Sequence, residues 1–340
     1  MEINPETIDA VLLEAAKVRL ASDSAAKSLN ALRETGLRGI VYQESFGPDP
    51  KLARENFEKL RNKVAQLKGL QTSLAQVGVS PHAPYSVCAP QLEMIAEFAL
   101  AERLPVMMHA AESTAEEMLL REGKGSFAEG LVKRNIEWHP PSLSTISYLN
   151  RHGILRTQPL LAHCINVDAA DLDLIAETRT RIAHCPKSNA KLGHGRAPFA
   201  EFVRRDLPVG LGSDSVASNN TCDLLEEARF ALLMSRPGPA ESDLKAEDVF
   251  RSATLGGARA LGLEDKIGEL REGHQADFAI ISLGCLHQIP SYVPVSTLIF
   301  SSSGRDVVRH TGLHGRSGGR DDTNGPSNSA HLRLTARLRC

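Results

Sequence analysis

The chain has 340 residues, of which 24% are charged and 42% hydrophobic, and its formal net charge is −2. Near-neutrality removes any general electrostatic reason to bind nucleic acid or an anionic membrane, and the absence of a run of about eighteen apolar residues argues against a membrane span. Length and composition suit one large barrel-type domain or two smaller ones, folded as a soluble globule.

The first residues are acidic and lack the basic region and apolar core of a signal peptide. Asn4 as N-cap, Pro5 at the first helical position and Glu6 at the positive end of the dipole predict a helix with Ile8, Val11, Leu12, Ala15 and Val18 on one face. Residues 1–36 thus read as an N-terminal helical segment. From residue 37 onward, short apolar runs alternate with longer helical stretches, as in βα units around a parallel sheet. Strands are predicted at Leu37–Glu44, Leu74–Ser80, Leu104–His109, Pro159–His163, Arg181–His184 and Pro208–Ser213. Helices are predicted near 51–68, 90–102, 113–134, 141–152, 168–178 and 197–206, then at Cys222–Met234 and Lys245–Leu261 with Asp243 as candidate N-cap. The fold class is α/β. Polar residues gather at the C-terminal ends of the strands, which favours an incomplete (β/α)8 barrel of about six strands over an open sheet. This barrel spans 37–263. Residues 264–302 read as the remnant of a small β domain, with strands at Ala276–Ser282 and Val293–Phe300. Gly, Ser, Asn, Asp and Arg then dominate, and 303–340 read as a disordered tail or as sequence not shaped by selection for folding.

Six cysteines, Cys88, Cys164, Cys185, Cys222, Cys285 and Cys340, lie far apart with no CxxC pair, which predicts free thiols in a reducing cytoplasm. The stretch Pro105-Val-Met-Met-His-Ala-Ala-Glu112 puts His109 at a strand end and Glu112 in the next loop. A ring nitrogen able to hold a metal beside a carboxylate able to move a proton is half of a hydrolytic site. Pro81 and Pro84 stiffen the loop carrying His82, which suits a hydrogen bond donated to a substrate or, equally, a structural one. A small residue followed by His-Cys ends two successive strands, at His163-Cys164 and His184-Cys185. Adjacent strand residues face opposite ways, so a shared His/Cys zinc site is excluded and the cysteines read as small hydrophobes packing outward. His163 is the candidate for chemistry and His184 for structure. Asp214, at the end of a glycine-rich strand, reads as a metal partner, with an Asx turn or helix cap as the alternative.

These segments together resemble the metal-dependent amidohydrolase superfamily. The branch they are most similar to is that of adenosine, S-adenosylhomocysteine and aminofutalosine-type deaminases and chlorotriazine hydrolases. The matching pieces are Ser80-Pro-His-Ala-Pro-Tyr-Ser86, His109-Ala-Ala-Glu112, Ala162-His-Cys164, His184-Cys-Pro-Lys-Ser-Asn-Ala-Lys-Leu-Gly193 and Gly212-Ser-Asp-Ser-Val-Ala-Ser-Asn-Asn220. Gly268-Glu-Leu-Arg-Glu-Gly-His-Gln-Ala-Asp277 is similar to the return into a small β domain. The resemblance covers about residues 37 to 300. It implies one divalent metal, zinc or iron(II), held by His109 and Asp214, with Asp214 also accepting a proton from the attacking water. It implies that Glu112 protonates the substrate's ring nitrogen, that His163 orients groups or moves protons at the tetrahedral centre, and that His82 contacts the substrate. The substrate is then a small heterocyclic amine, most simply an aminopurine nucleoside that loses ammonia, and a homo-oligomer is compatible with the pattern.

The sequence departs from the family in one respect that bears on chemistry. Its first histidine is His82, so the His-x-His that supplies two metal ligands at the family's first barrel strand has no counterpart. With it, the first two barrel strands and the leading strands of the β domain are missing from the pattern. Two alternatives follow: an inactive fragment or pseudoenzyme without those ligands, and a chlorohydrolase or amide-type hydrolase using the same machinery.

Overall fold

The computed structural model describes residues 24–236 and 243–313. The predicted helix around Ile8 to Val18 and the stretch from 314 to 340 lie outside them.

Six parallel strands run in sequence order: β1 Gly39–Ser45, β2 Ala75–Pro81, β3 Met107–Ala110, β4 Leu160–His163, β5 Arg181–His184 and β6 Val209–Leu211. β1 pairs with β2 along its whole length, and β3 to β6 form a continuous four-stranded ladder. The two groups are joined where Val79 bridges Val106 and where the His109 N–H donates to the His82 carbonyl at 3.0 Å. All six expected strands are therefore present. Among the described residues none pairs with the outer side of β1 or of β6, so the described strands form an open part of a barrel. A cavity of about 460 Å³ opens there at the N-terminal ends of the strands, between Ile40, Tyr42, Arg181 and Leu263.

The helices between the strands bury one apolar stripe each. Ala53–Lys68 covers β1 and β2 with Phe57, Leu60, Val64 and Leu67, at the spacing of one helical face. Behind β3 to β6, Met108, Leu161, Ile182 and Val209 pack on Ile146, Leu149, Phe199 and Phe202. The predicted helix 113–134 is two, Thr114–Glu122 and Ser126–Lys133, because Gly123 and Gly125 take left-handed backbone between them. Gly210 of β6 lies against Gly257 so closely that a Cβ on it would sit 2.8 Å from the Gly257 Cα, which lets the helical stretch 246–261 dock on the strand.

Four expectations need correction. Val293–Phe300 is not a strand: Pro294 opens the helix Pro294–Phe300, and Thr297 and Ile299 are buried on it. Asp243 does not cap the following helix, which starts at Ala246; there the Lys245 N–H donates to the Asp248 carboxylate at 2.8 Å. The segment after 302 is not tail from the outset, since β8 Val307–Leu313 pairs antiparallel with β7 Ala276–Ile281. Cys164 is a buried free thiol in the core behind the sheet, as expected of a small hydrophobe packing outward; Cys185 is a buried free thiol as well, but it packs beside Ala183 against Gly212 on the side opposite His184, so its expected outward packing needs correction.

Candidate active site

The strand ends that bear chemistry are also where the backbone is strained. Ala111 (φ 52°), His163 (φ 74°), Cys164 (φ 48°) and Asp214 (φ 56°) all adopt left-handed conformations without being glycine. Each costs on the order of 1–3 kcal/mol, and such residues concentrate at functional sites. At His163 the strain has a visible result. Leu161 and Cys164 both lie in the core behind the sheet, so strict alternation is broken between them, and His163 turns to the other side.

There the His109 and His163 rings stand 5.6 Å apart. One ring nitrogen from each and a carboxylate oxygen of Asp214 lie within 4.8 Å of one another. The hydrogen bonds around this cluster set the tautomers. His109 Nδ1 is 3.0 Å from the His82 carbonyl, which can only accept, so Nδ1 carries the proton and Nε2 the lone pair. His163 Nδ1 is 2.8 Å from Asn189 Oδ1, and its Nε2 is buried with no hydrogen-bond partner. Burial pushes His163 below the ordinary histidine value, against the pull of Glu112. Asp214 accepts the Ser188 hydroxyl at 2.6 Å. Burial alone would raise its pKa, but the Ser188 hydroxyl, His163 and the Ser215 and Ser218 donors together hold it below the usual carboxylate range. Two imidazole lone pairs and one carboxylate therefore face a common point. An N,N,O set of this kind fits a divalent ion such as zinc with a fourth position left open. The sequence pattern offered two candidate ligands, and the position of His163 offers a third donor atom.

Glu112 lies beside this set, its Oε1 3.6 Å from His163 Nε2 and 3.3 Å from His194 Nδ1. Its loop is held from below by Glu116, a residue without a role in the sequence reading. The fully buried Glu116 carboxylate accepts the Ala111 N–H at 2.8 Å, the Glu112 N–H at 3.3 Å and the Thr145 hydroxyl at 2.8 Å. Burial pushes Glu116 up to about 7 despite these donors. His82 stands beside the same cluster, 4.9 Å from His109 between ring centres. The Ser86 hydroxyl donates to the Ala83 carbonyl at 3.1 Å, so it accepts from His82 Nδ1 at 2.7 Å. His82 therefore presents an acceptor at Nε2, the reverse of the donor expected from its loop. Burial and His109 lower it to about 4, keeping the ring neutral. Phe46 lies tilted over His82 with ring centres 4.6 Å apart, and Tyr85 stacks on Phe127 at 4.0 Å, forming an aromatic wall beside it. Trp138 is elsewhere, donating to the Leu119 carbonyl at 3.1 Å and packing on the core.

His184 does not join the site. It is buried on the helix side of β5, stacked on Phe199 at 4.8 Å, and burial lowers its pKa to about 3. The unfolded chain takes up a proton near the ordinary value of 6.5 while the folded chain resists until about 3. Its contribution to stability is therefore full above pH 6.5 and erodes as pH falls. Between pH 7 and pH 5 the wild type should lose about 2 kcal/mol more than His184→Phe in urea titrations. Equal losses would show that His184 titrates normally.

With this geometry in view, comparison with known proteins is decisive about ancestry: the profile of the Amidohydrolase family matches residues 12–316. This chain belongs to the amidohydrolase family. Among curated relatives, it is 32% identical over 295 residues to the 5-methylthioadenosine/S-adenosylhomocysteine deaminase of Syntrophobacter fumaroxidans, covering 85% of this chain and 63% of that protein. It is 33% identical over 279 residues to the enzyme of the same name from Pyrococcus horikoshii, covering 82% of this chain and 62% of that one. Among solved structures, this amidohydrolase superposes on an adenosine deaminase from Xanthomonas campestris with bound zinc. The TM-score is 0.71 at 26% identity, over 85% of this chain and 62% of that one. The chain thus spans less than two thirds of the length of these relatives. Asn189, Ser188 and Glu116 went without roles because their types are common in loops and helices. For His194 the usable signal was its placement between two glycines.

Proposed function

We propose that this amidohydrolase chain deaminates a cyclic amidine of the adenosine class, using one divalent ion, zinc or iron(II), held by His109, His163 and Asp214. The observation that carries the reading is the convergence of three lone-pair donors, each oriented by its own hydrogen bond, beside a carboxyl group 3.6 Å from His163. When bound, the ion lowers the pKa of water and makes a nucleophile available near neutral pH. Asp214 accepts the proton released as the C–O bond forms at the amidine carbon. Glu112 delivers a proton to the ring nitrogen and takes one back from the hydroxyl that becomes the product carbonyl, while the proton held by Asp214 passes to the amine that leaves as ammonia when the C–N bond breaks. His163 lies against the tetrahedral centre, and His82 accepts a hydrogen bond from the substrate. The aromatic side chains Phe46, Tyr85 and Phe127 beside His82 suit a planar heterocycle.

A second reading is a chain that keeps the fold but does not turn over by itself. Two observations favour it: no His-x-His occurs in the sequence, and the outer sides of β1 and β6 carry no strand among the described residues. One assay separates the two. The zinc-reconstituted chain is incubated with adenosine, 5-methylthioadenosine and S-adenosylhomocysteine, and ammonia and the shift of purine absorbance are followed. The deaminase reading expects one ammonia per purine converted; a metal-loaded chain that releases none from any of the three would contradict it.

A further inference from the structure

The loop after the helix Pro186–Leu192 carries a histidine that neither the sequence pattern nor the proposed ligand set uses. Gly193 (φ 70°) ends the helix in the left-handed conformation, and Gly195 (φ 106°) turns the chain back two residues later. His194, between them, is thereby projected into the site. Its main-chain N–H donates to the Asn189 carbonyl at 3.0 Å, and the Asn189 side chain accepts from His163 Nδ1 at 2.8 Å. One asparagine therefore fixes the positions of both imidazoles that flank Glu112.

We propose that His194 is a positioning residue that anchors Glu112 through Nδ1 and leaves Oε2 as the oxygen that moves the proton. His194 Nδ1 is a buried nitrogen without a hydrogen-bond partner, and it lies within ion-pair reach of Glu112 Oε1 at 3.3 Å. The second imidazole near that oxygen cannot do this work. His163 spends its Nδ1 proton on Asn189, so its Nε2 offers Glu112 a lone pair and no hydrogen. His194 is the group of the pair free to donate. Donation to one oxygen fixes the carboxyl's rotation, and a general acid held in one orientation spends less of the barrier on finding its geometry. The inference rests on the deaminase reading for its kinetic consequence, but the contact itself does not.

Three chains are compared after zinc reconstitution: wild type, His194→Ala and His194→Asn, with metal content measured in each. The asparagine amide nitrogen takes the place of Nδ1. His194→Ala should keep its zinc and lower kcat about 10- to 100-fold with KM changed less than about threefold, and His194→Asn should recover kcat to within about fivefold of wild type. An unchanged kcat in His194→Ala, or an equal loss in both variants, would overturn the proposal. A readout free of turnover is the ring nitrogen spectrum of 15N-labelled protein. The Nδ1 resonance of His194 should move when Glu112 is replaced in Glu112→Ala, and an unmoved resonance would overturn the contact. If wild type releases no ammonia, this second readout decides the inference while the functional reading fails alone.

Discussion

Glu112→Gln is expected to leave the bound zinc in place and to lower kcat for ammonia release by about 10³-fold. The substitution preserves shape and keeps an acceptor oxygen within reach of His194. What it removes is the ability to give and take a proton at the one carboxyl that faces the cluster from outside it, 3.6 Å from His163 Nε2. Because Glu112 supplies none of the three converging donor atoms, metal content should be indistinguishable from wild type. The loop should also stay folded, since the bonds that Glu116 accepts come from main-chain N–H groups and Thr145 rather than from the Glu112 side chain. Parallel metal analysis and ammonia assays check both halves. A variant within tenfold of the wild-type rate would show that the proton comes from elsewhere.

Much of the scaffold was legible because buried parallel strands read as short apolar runs whatever surrounds them. Leu160-Leu-Ala-His163 is buried throughout, and the predicted and observed ends of β5 coincide. Errors arose where a local signal competed with tertiary packing. Val293–Phe300 carries β-branched residues suited to a strand, yet Pro294 is equally suited to open a helix, and packing against Leu224–Met234 and Ala246–Arg251 favours the helix. The site was legible as residue types at strand ends, so His109, Glu112, His163 and Asp214 were all found to converge. Their division of labour was less so. Period-two reasoning cannot foresee the left-handed turn that swings His163 inward, nor that Ser86 reverses the polarity of His82. Residues that act through others, such as Asn189, Glu116 and His194, show themselves only once the hydrogen bonds are seen.

Zinc titration of the metal-stripped chain by calorimetry, with Asp214→Asn and His109→Ala alongside, tests the shared metal site most directly. Each donor here is oriented by a bond of its own, from Ser188 to Asp214 and from His109 to the His82 carbonyl, so removing either should leave a pair too sparse to hold the ion. The wild type should bind about one zinc per chain, and each variant should lose at least about 100-fold in affinity, since losing even a group that merely supports a ligand typically costs 10- to 100-fold. No zinc bound by the wild type, or binding that both variants retain undiminished, would contradict a site built from His109, His163 and Asp214.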